Sequence, residues 1–139
     1  MMPMVVPALL PALLWPGLAP AQVEMVLEPV TVTAPSGFDV TLEDVIYEED
    51  PYSGDTLIVV RLVAPAIASP VLSGALQSDM EWACETWGLP ASDALSTPAD
   101  QIIVEMMEAV VPRGESAPET RRFFETYSPD GDLCIWRLF

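Results

Sequence analysis

Glu81 and Glu85 stand four residues apart in the stretch Ser73–Gly88, SGALQSDMEWACETWG, with Trp82 beside them. On a helix this spacing stacks the two carboxylates on one face. Paired carboxylates act as acid and base at a glycosidic bond when their surroundings keep one protonated. Nothing in the stretch sets the two environments apart, so a solvated helix face is the simpler reading of Asp79, Glu81 and Glu85. Trp82 points away from the apolar stripe, roughly opposite Trp87. An outward tryptophan between carboxylates suits contact with a sugar ring, a peptide or a partner protein. Trp82, Glu81 and Glu85 are therefore the candidate binding residues, with packing of Trp82 under a loop as the competing account.

Other groups offer less. Asp130-Gly131-Asp132, with Asp50 and Asp55, makes oxygen-rich turns, but calcium needs six or more ligands in a defined loop and the spacing is absent. Arg113, Arg121 and Arg122 lie within ten residues and could hold an anion; local pairing with Glu119 and Glu125 is the plainer reading. The two cysteines, Cys84 and Cys134, show no Cys-x-x-Cys spacing and both fall on apolar positions. One structural disulfide follows, closing a loop of about 51 residues and contributing on the order of 4 kcal/mol. The chain has no His, no Lys and no Asn. It thus lacks an imidazole for a triad, for metal ligation or for pH sensing, and has no N-glycosylation acceptor. No cofactor or metal is called for.

The 139 residues leave room for one domain. Residues 1–21 carry no charged side chain and end in Ala19-Pro20-Ala21, which reads as a cleavable export signal with Gln22 first in the mature chain. A spanning anchor is the alternative, opposed by Pro3, Pro7, Pro11, Pro16 and Pro20 and by the lack of a following basic run. The net charge of −16 stays with the mature part. Such a chain repels phosphate backbones and anionic headgroups, so nucleic acid and stable membrane insertion are excluded as partners.

The elements that would position these residues follow in order. Residues 22–37 form an extended leader, closed by the turn Pro35-Ser36-Gly37. Val40–Glu49 reads as a strand with a bulge near Asp44. Asp50–Asp55 is turn chemistry, and Thr56–Ala64 is apolar on both faces except at Arg61, the mark of a central strand. The helix at 73–88 buries Leu72, Leu76, Met80, Ala83, Cys84 and Trp87, and Gly88 with Pro90 signals its stop. Gln101–Val111 reads as a strand. Ser116-Ala117-Pro118-Glu119 has the form of a capping box and opens a short helix over Thr120–Tyr127. Asp130–Asp132 turns the chain into a last strand, Leu133–Phe139, whose face carries Cys134, Trp136 and Leu138.

The segments VAPAIA (63–68), DMEWACETWGLP (79–90), QIIVEMME (101–108) and CIWRLF (134–139) resemble a family of small exported proteins of unknown function in Rhodobacter-like alphaproteobacteria. The resemblance spans residues 35–139. It implies a periplasmic or secreted single domain and assigns no catalytic residue. Residues and resemblance together predict an α+β domain at 38–139, built β-β-α-β-α-β. Its four-stranded antiparallel sheet would carry one main helix on a face and one disulfide. The expected role is a non-enzymatic binding or accessory protein for an unknown protein or envelope component. A carboxylate-based hydrolase of an envelope polymer is the first alternative, and a calcium-stabilised structural module is the second.

Overall fold

A computed structural model of the chain describes residues 23–25, 28–71 and 73–138, with side chains from residue 28 onward except at Ser73. The predicted export signal lies outside the described residues. Seven strands form one mixed sheet: β1 (Val23–Met25), β2 (Val30–Thr33), β3 (Asp39–Glu49), β4 (Thr56–Val63), β5 (Gln101–Met107), β6 (Arg122–Asp130) and β7 (Leu133–Trp136). The order across the sheet is β1-β3-β4-β5-β6-β7, and β2 shares the outer edge of β3 with β1. No helix among the described residues is long and apolar enough to cross a membrane.

The four-stranded antiparallel prediction is therefore wrong on three points. First, the leader at 22–37 supplies two strands that pair with β3, and Ala34 at its end is buried. Second, β4 and β5 run parallel, in register from Leu57 opposite Gln101 to Val63 opposite Met107. The long connection from Ala64 to Asp100 carries the helix over one face, as a parallel pair requires. Third, the segment predicted as a helix at Thr120–Tyr127 is strand β6, antiparallel to β5. Its alternating Phe123, Glu125 and Tyr127 lie on the helix-bearing face, with Arg122, Phe124 and Thr126 behind. Pairing with β5 satisfies its backbone, and this outweighs the local capping signal.

The expected bulge is present. The β3–β4 register shifts between Leu42 and Asp44. Leu42 and Val45 thereby both face the helix, opposite Leu62 and Val60, while Asp44 turns to the other side opposite Arg61. The break between β1 and β2 falls at the same level, since Val30 pairs with Leu42 and Met25 with Val45.

The helix is longer than predicted. It runs as α1 (Ser73–Ala83), a π-turn (Cys84–Gly88) and α2 (Leu89–Asp93). The amide of Leu89 bonds to the carbonyl of Cys84, an i→i+5 link that lets the chain pass Pro90 without stopping. Gly88 is not a terminator. A Cβ there would stand 2.7 Å from Ile102 Cγ2, so glycine permits the helix to press against β5. Gly88→Ala is expected to cost about 1–3 kcal/mol by overpacking, seen as a lower urea midpoint at unchanged slope. An unchanged midpoint would mean that the close approach is not needed.

The face of the sheet under the helix holds the main core: Ile58, Val60, Leu62, Ile102, Val104 and Met106 meet Leu76, Met80, Ala83 and Cys84. The opposite face holds a charged layer. Arg61 bonds to Asp44 at 2.9 Å and to Glu105 at 3.3 Å, and also donates to the Val111 carbonyl. Arg122 and Arg113 approach the same Glu105 at 3.5 and 3.6 Å. Arg113 grips Glu48 with two bonds of 2.8 and 3.0 Å. That grip is the first cause of a guanidinium pKa raised above its ordinary value, with the charges of Glu48, Glu105 and Asp44 adding to it against burial. Arg113 and Arg122, two of the three arginines expected to pair locally with Glu119 and Glu125, thus reach across the sheet instead. Arg122 also lies over the Phe124 ring, 5.6 Å from its centre.

Candidate functional site

Two helical residues and two strand residues meet at the seam between α1 and the β6–β7 hairpin. Gln77 and Glu81 are one turn apart on one stripe of α1. Tyr127 and Trp136 are direct partners in the β6–β7 ladder, on the helix-bearing face. Gly131, at φ 59°, supplies the left-handed backbone that this two-residue hairpin turn demands. The Cys84–Cys134 disulfide, predicted from apolar placement, joins the two walls, with a Cα–Cα distance of 6.3 Å. Cys84 follows Glu81 by one turn, and Cys134 precedes Trp136 on the same strand face.

Together Gln77, Glu81, Tyr127 and Trp136 line a cleft of about 120 Å³. The Trp136 indole N–H donates to Glu125 Oε2, which fixes a second carboxylate beside the ring that lines the cleft. Tyr127 is only 2% exposed, and its side chain lines the cleft. Within the cleft the phenol oxygen can both donate and accept a hydrogen bond. Its pKa is raised well above the ordinary phenol value, first by burial, then by the charges of Glu125 and Glu81.

A pH dependence follows. Above about pH 10 an unfolded tyrosine gives up its proton, while the folded Tyr127 keeps it. The native state then holds more protons, so stability falls as pH rises. One of the three tyrosines should stay protonated through the ordinary phenol range, seen by phenolate absorbance. Tyr127→Phe should abolish that late step and flatten the alkaline decline of the urea midpoint. An unaltered titration in that variant would refute the assignment.

The predicted site residues divide. Glu81 is exposed and lines the cleft; Glu85 is half-buried and, with Trp82, is absent from its lining. Trp82 is half-buried against the core and meets Trp87 edge-on, with centroids 5.1 Å apart. The expectation that these two rings oppose one another fails because of the π-turn. In an α-helix residues five apart diverge by about 140°, whereas an i→i+5 turn brings them toward one side. Asp79 is not solvated. It is fully buried and accepts bonds from the Ser36 amide at 2.9 Å and from the Ser36 hydroxyl. It thereby pins the Ala34–Phe38 turn to the helix.

Sequence reasoning placed Trp136 and Tyr127 in the core and missed their role in the cleft. The one available signal was that each carries a polar group requiring a partner. A second, apolar pocket of about 230 Å³ lies on the other flank of the helix, among Val45, Tyr47, Trp87 and Ala91. Its Tyr47 hydroxyl is spent on the Ala91 carbonyl at 3.3 Å. Among the described residues no cluster of carboxylates or cysteines is placed to hold a metal. Asp50, one of the oxygen-rich turn residues, accepts bonds from the amides of Tyr52 and Ser53 at 2.8 and 3.2 Å.

Comparison with curated proteins and with solved structures finds no match. A family of unknown function, DUF6497, matches over residues 15–139, which includes every element of the fold and all four residues of the cleft. The chain belongs to that family of unknown function.

Proposed function

We propose that this chain is a non-enzymatic, exported binding domain that engages a protein or envelope component at the cleft between α1 and the β6–β7 hairpin. The observation that carries the reading is a cleft in which the phenol of Tyr127, the Glu81 carboxylate, the Gln77 amide and the Trp136 indole face one small space. A ligand group entering there meets hydrogen-bonding partners and an aromatic surface together. Export is supported by the disulfide joining Cys84 to Cys134, since such bonds persist in oxidising compartments.

The test is site-specific cross-linking in the producing cell. A photoreactive phenylalanine analogue replaces Trp136 in one strain and the 98% exposed Tyr52 in another. Discrete adducts at position 136 that are absent at position 52 support the reading. Adducts equal at both positions, or none at 136, overturn it.

A further inference from the structure

We infer that the cleft takes an organic ammonium group, carried on a short alkyl chain. The inference rests on the binding reading above and specifies its ligand. The groups that face the space are a carboxylate at Glu81, an amide at Gln77, a neutral phenol at Tyr127 and an indole ring at Trp136. The indole N–H is already given to Glu125, so Trp136 offers the π-face, which attracts cations. Both Glu81 and Glu125 act electrostatically on the Tyr127 oxygen. The phenol stays protonated, and its lone pairs can accept from an ammonium.

Among the described residues no arginine lines the cleft. Arg61, Arg113 and Arg122 are engaged in the charged layer on the far face of the sheet, and Arg137 donates to Ser128. An anion entering the cleft would meet the Glu81 carboxylate, with Glu125 on the far side of the indole N–H bond, and no counter-charge. A neutral polyol would hydrogen-bond to the carboxylate but form no ion pair with it. An ammonium meets an ion pair, an acceptor and a ring face at once.

Size narrows the ligand further. The space is about 120 Å³, near the roughly 150 Å³ that accepts a benzene-sized group and below the about 300–1,000 Å³ of pockets for whole small molecules. A headgroup with a few methylenes fits; the rest of the molecule stays outside. The same chemistry belongs to a free alkylamine and to the side chain of lysine, a residue this chain itself lacks.

Calorimetry on the oxidised full chain decides the matter, with butylammonium, diaminopentane and an acetyl-lysine-amide peptide as probes and with butanol and butyrate as controls. Saturable binding of the ammonium probes is expected, with a shift of the Trp136 indole N–H resonance. It should weaken about tenfold in Glu81→Gln, the loss expected for one charged contact. Tyr127→Phe, which keeps the ring, should weaken it as well. Butanol binding as well as butylammonium, or Glu81→Gln binding unchanged, overturns the inference. Tighter binding of the peptide assigns a protein partner; tighter binding of the diamine assigns a free amine, and either supports it. Position-specific adducts at residue 136 without ammonium binding would leave the binding domain standing and remove only its ligand.

Discussion

Arg61→Met should destabilise the protein by about 3–5 kcal/mol, because it strands charge in the interior rather than merely removing a bond. Asp44 and Glu105 are 5% and 1% exposed, and Arg61 is the cation between them. Two-state domains hold only about 5–15 kcal/mol in total, so the variant sits near the edge of folding. The sign reverses if the three charges go together. Asp44→Leu, Arg61→Met and Glu105→Leu combined should recover most of the loss, since an apolar replacement of a buried ionic group is often neutral or stabilising. Arg113 keeps its partner Glu48 in that background. Urea unfolding of the parent, single and triple variants measures both claims. A loss below about 1 kcal/mol in Arg61→Met would place the cluster among weak surface pairs.

The second large effect belongs to the disulfide. Removing it in Cys84→Ala/Cys134→Ala frees a loop of 50 residues in the unfolded chain, at a cost of about 4 kcal/mol by loop entropy. The loss should be uneven within the native state. Among the described residues β7 is an edge strand that pairs with β6 alone, so its amides should lose hydrogen-exchange protection before those of β4 and β5. Because Trp136 rides on β7, the cleft should loosen with it. The parent should show no free thiol when denatured without reductant. Two free thiols, or uniform loss of protection over the whole sheet, would contradict this account.

Much of the fold was legible. Thr56–Ala64 read as a central strand because both faces are apolar except at Arg61, and β4 lies between β3 and β5. Cys84 and Cys134 read as partners because each falls on an apolar face. The bulge near Asp44 was visible as a broken alternation. The parallel pair was also signalled, by two strands apolar on both sides with a long connection between them, but the signal was read as antiparallel. The β6 error has a different origin. Ser116–Glu119 satisfies the local grammar of a helix start, and only the partner strand Gln101–Met107 reveals the alternative.

The charged layer was hidden for the same reason. Asp44, Arg61 and Glu105 each interrupt an otherwise apolar strand, and read singly each passes for a solvent position. Opposite charges interrupting strands apolar on both faces were the clue to a common buried row, which the register Asp44–Arg61–Glu105 makes plain. The cleft was half legible. Glu81 was singled out by its helix face, while Tyr127 and Trp136 come from a hairpin whose approach to α1 no local pattern encodes.

The charged layer also governs how the molecule meets copies of itself. It takes Arg61, Arg113 and Arg122 out of circulation, leaving Arg121 and Arg137 as the cations of the remaining surface. The outside is close to a one-sign polyelectrolyte. Edge strand β7 shows Leu133, Ile135 and Trp136 to solvent, a template that would otherwise recruit a second chain. Mutual repulsion between approaching molecules shields that edge over a range of about 10 Å at 0.1 M salt. Colloidal stability of this fold is thus set partly from its interior, and it declines as added salt shortens the reach of that repulsion.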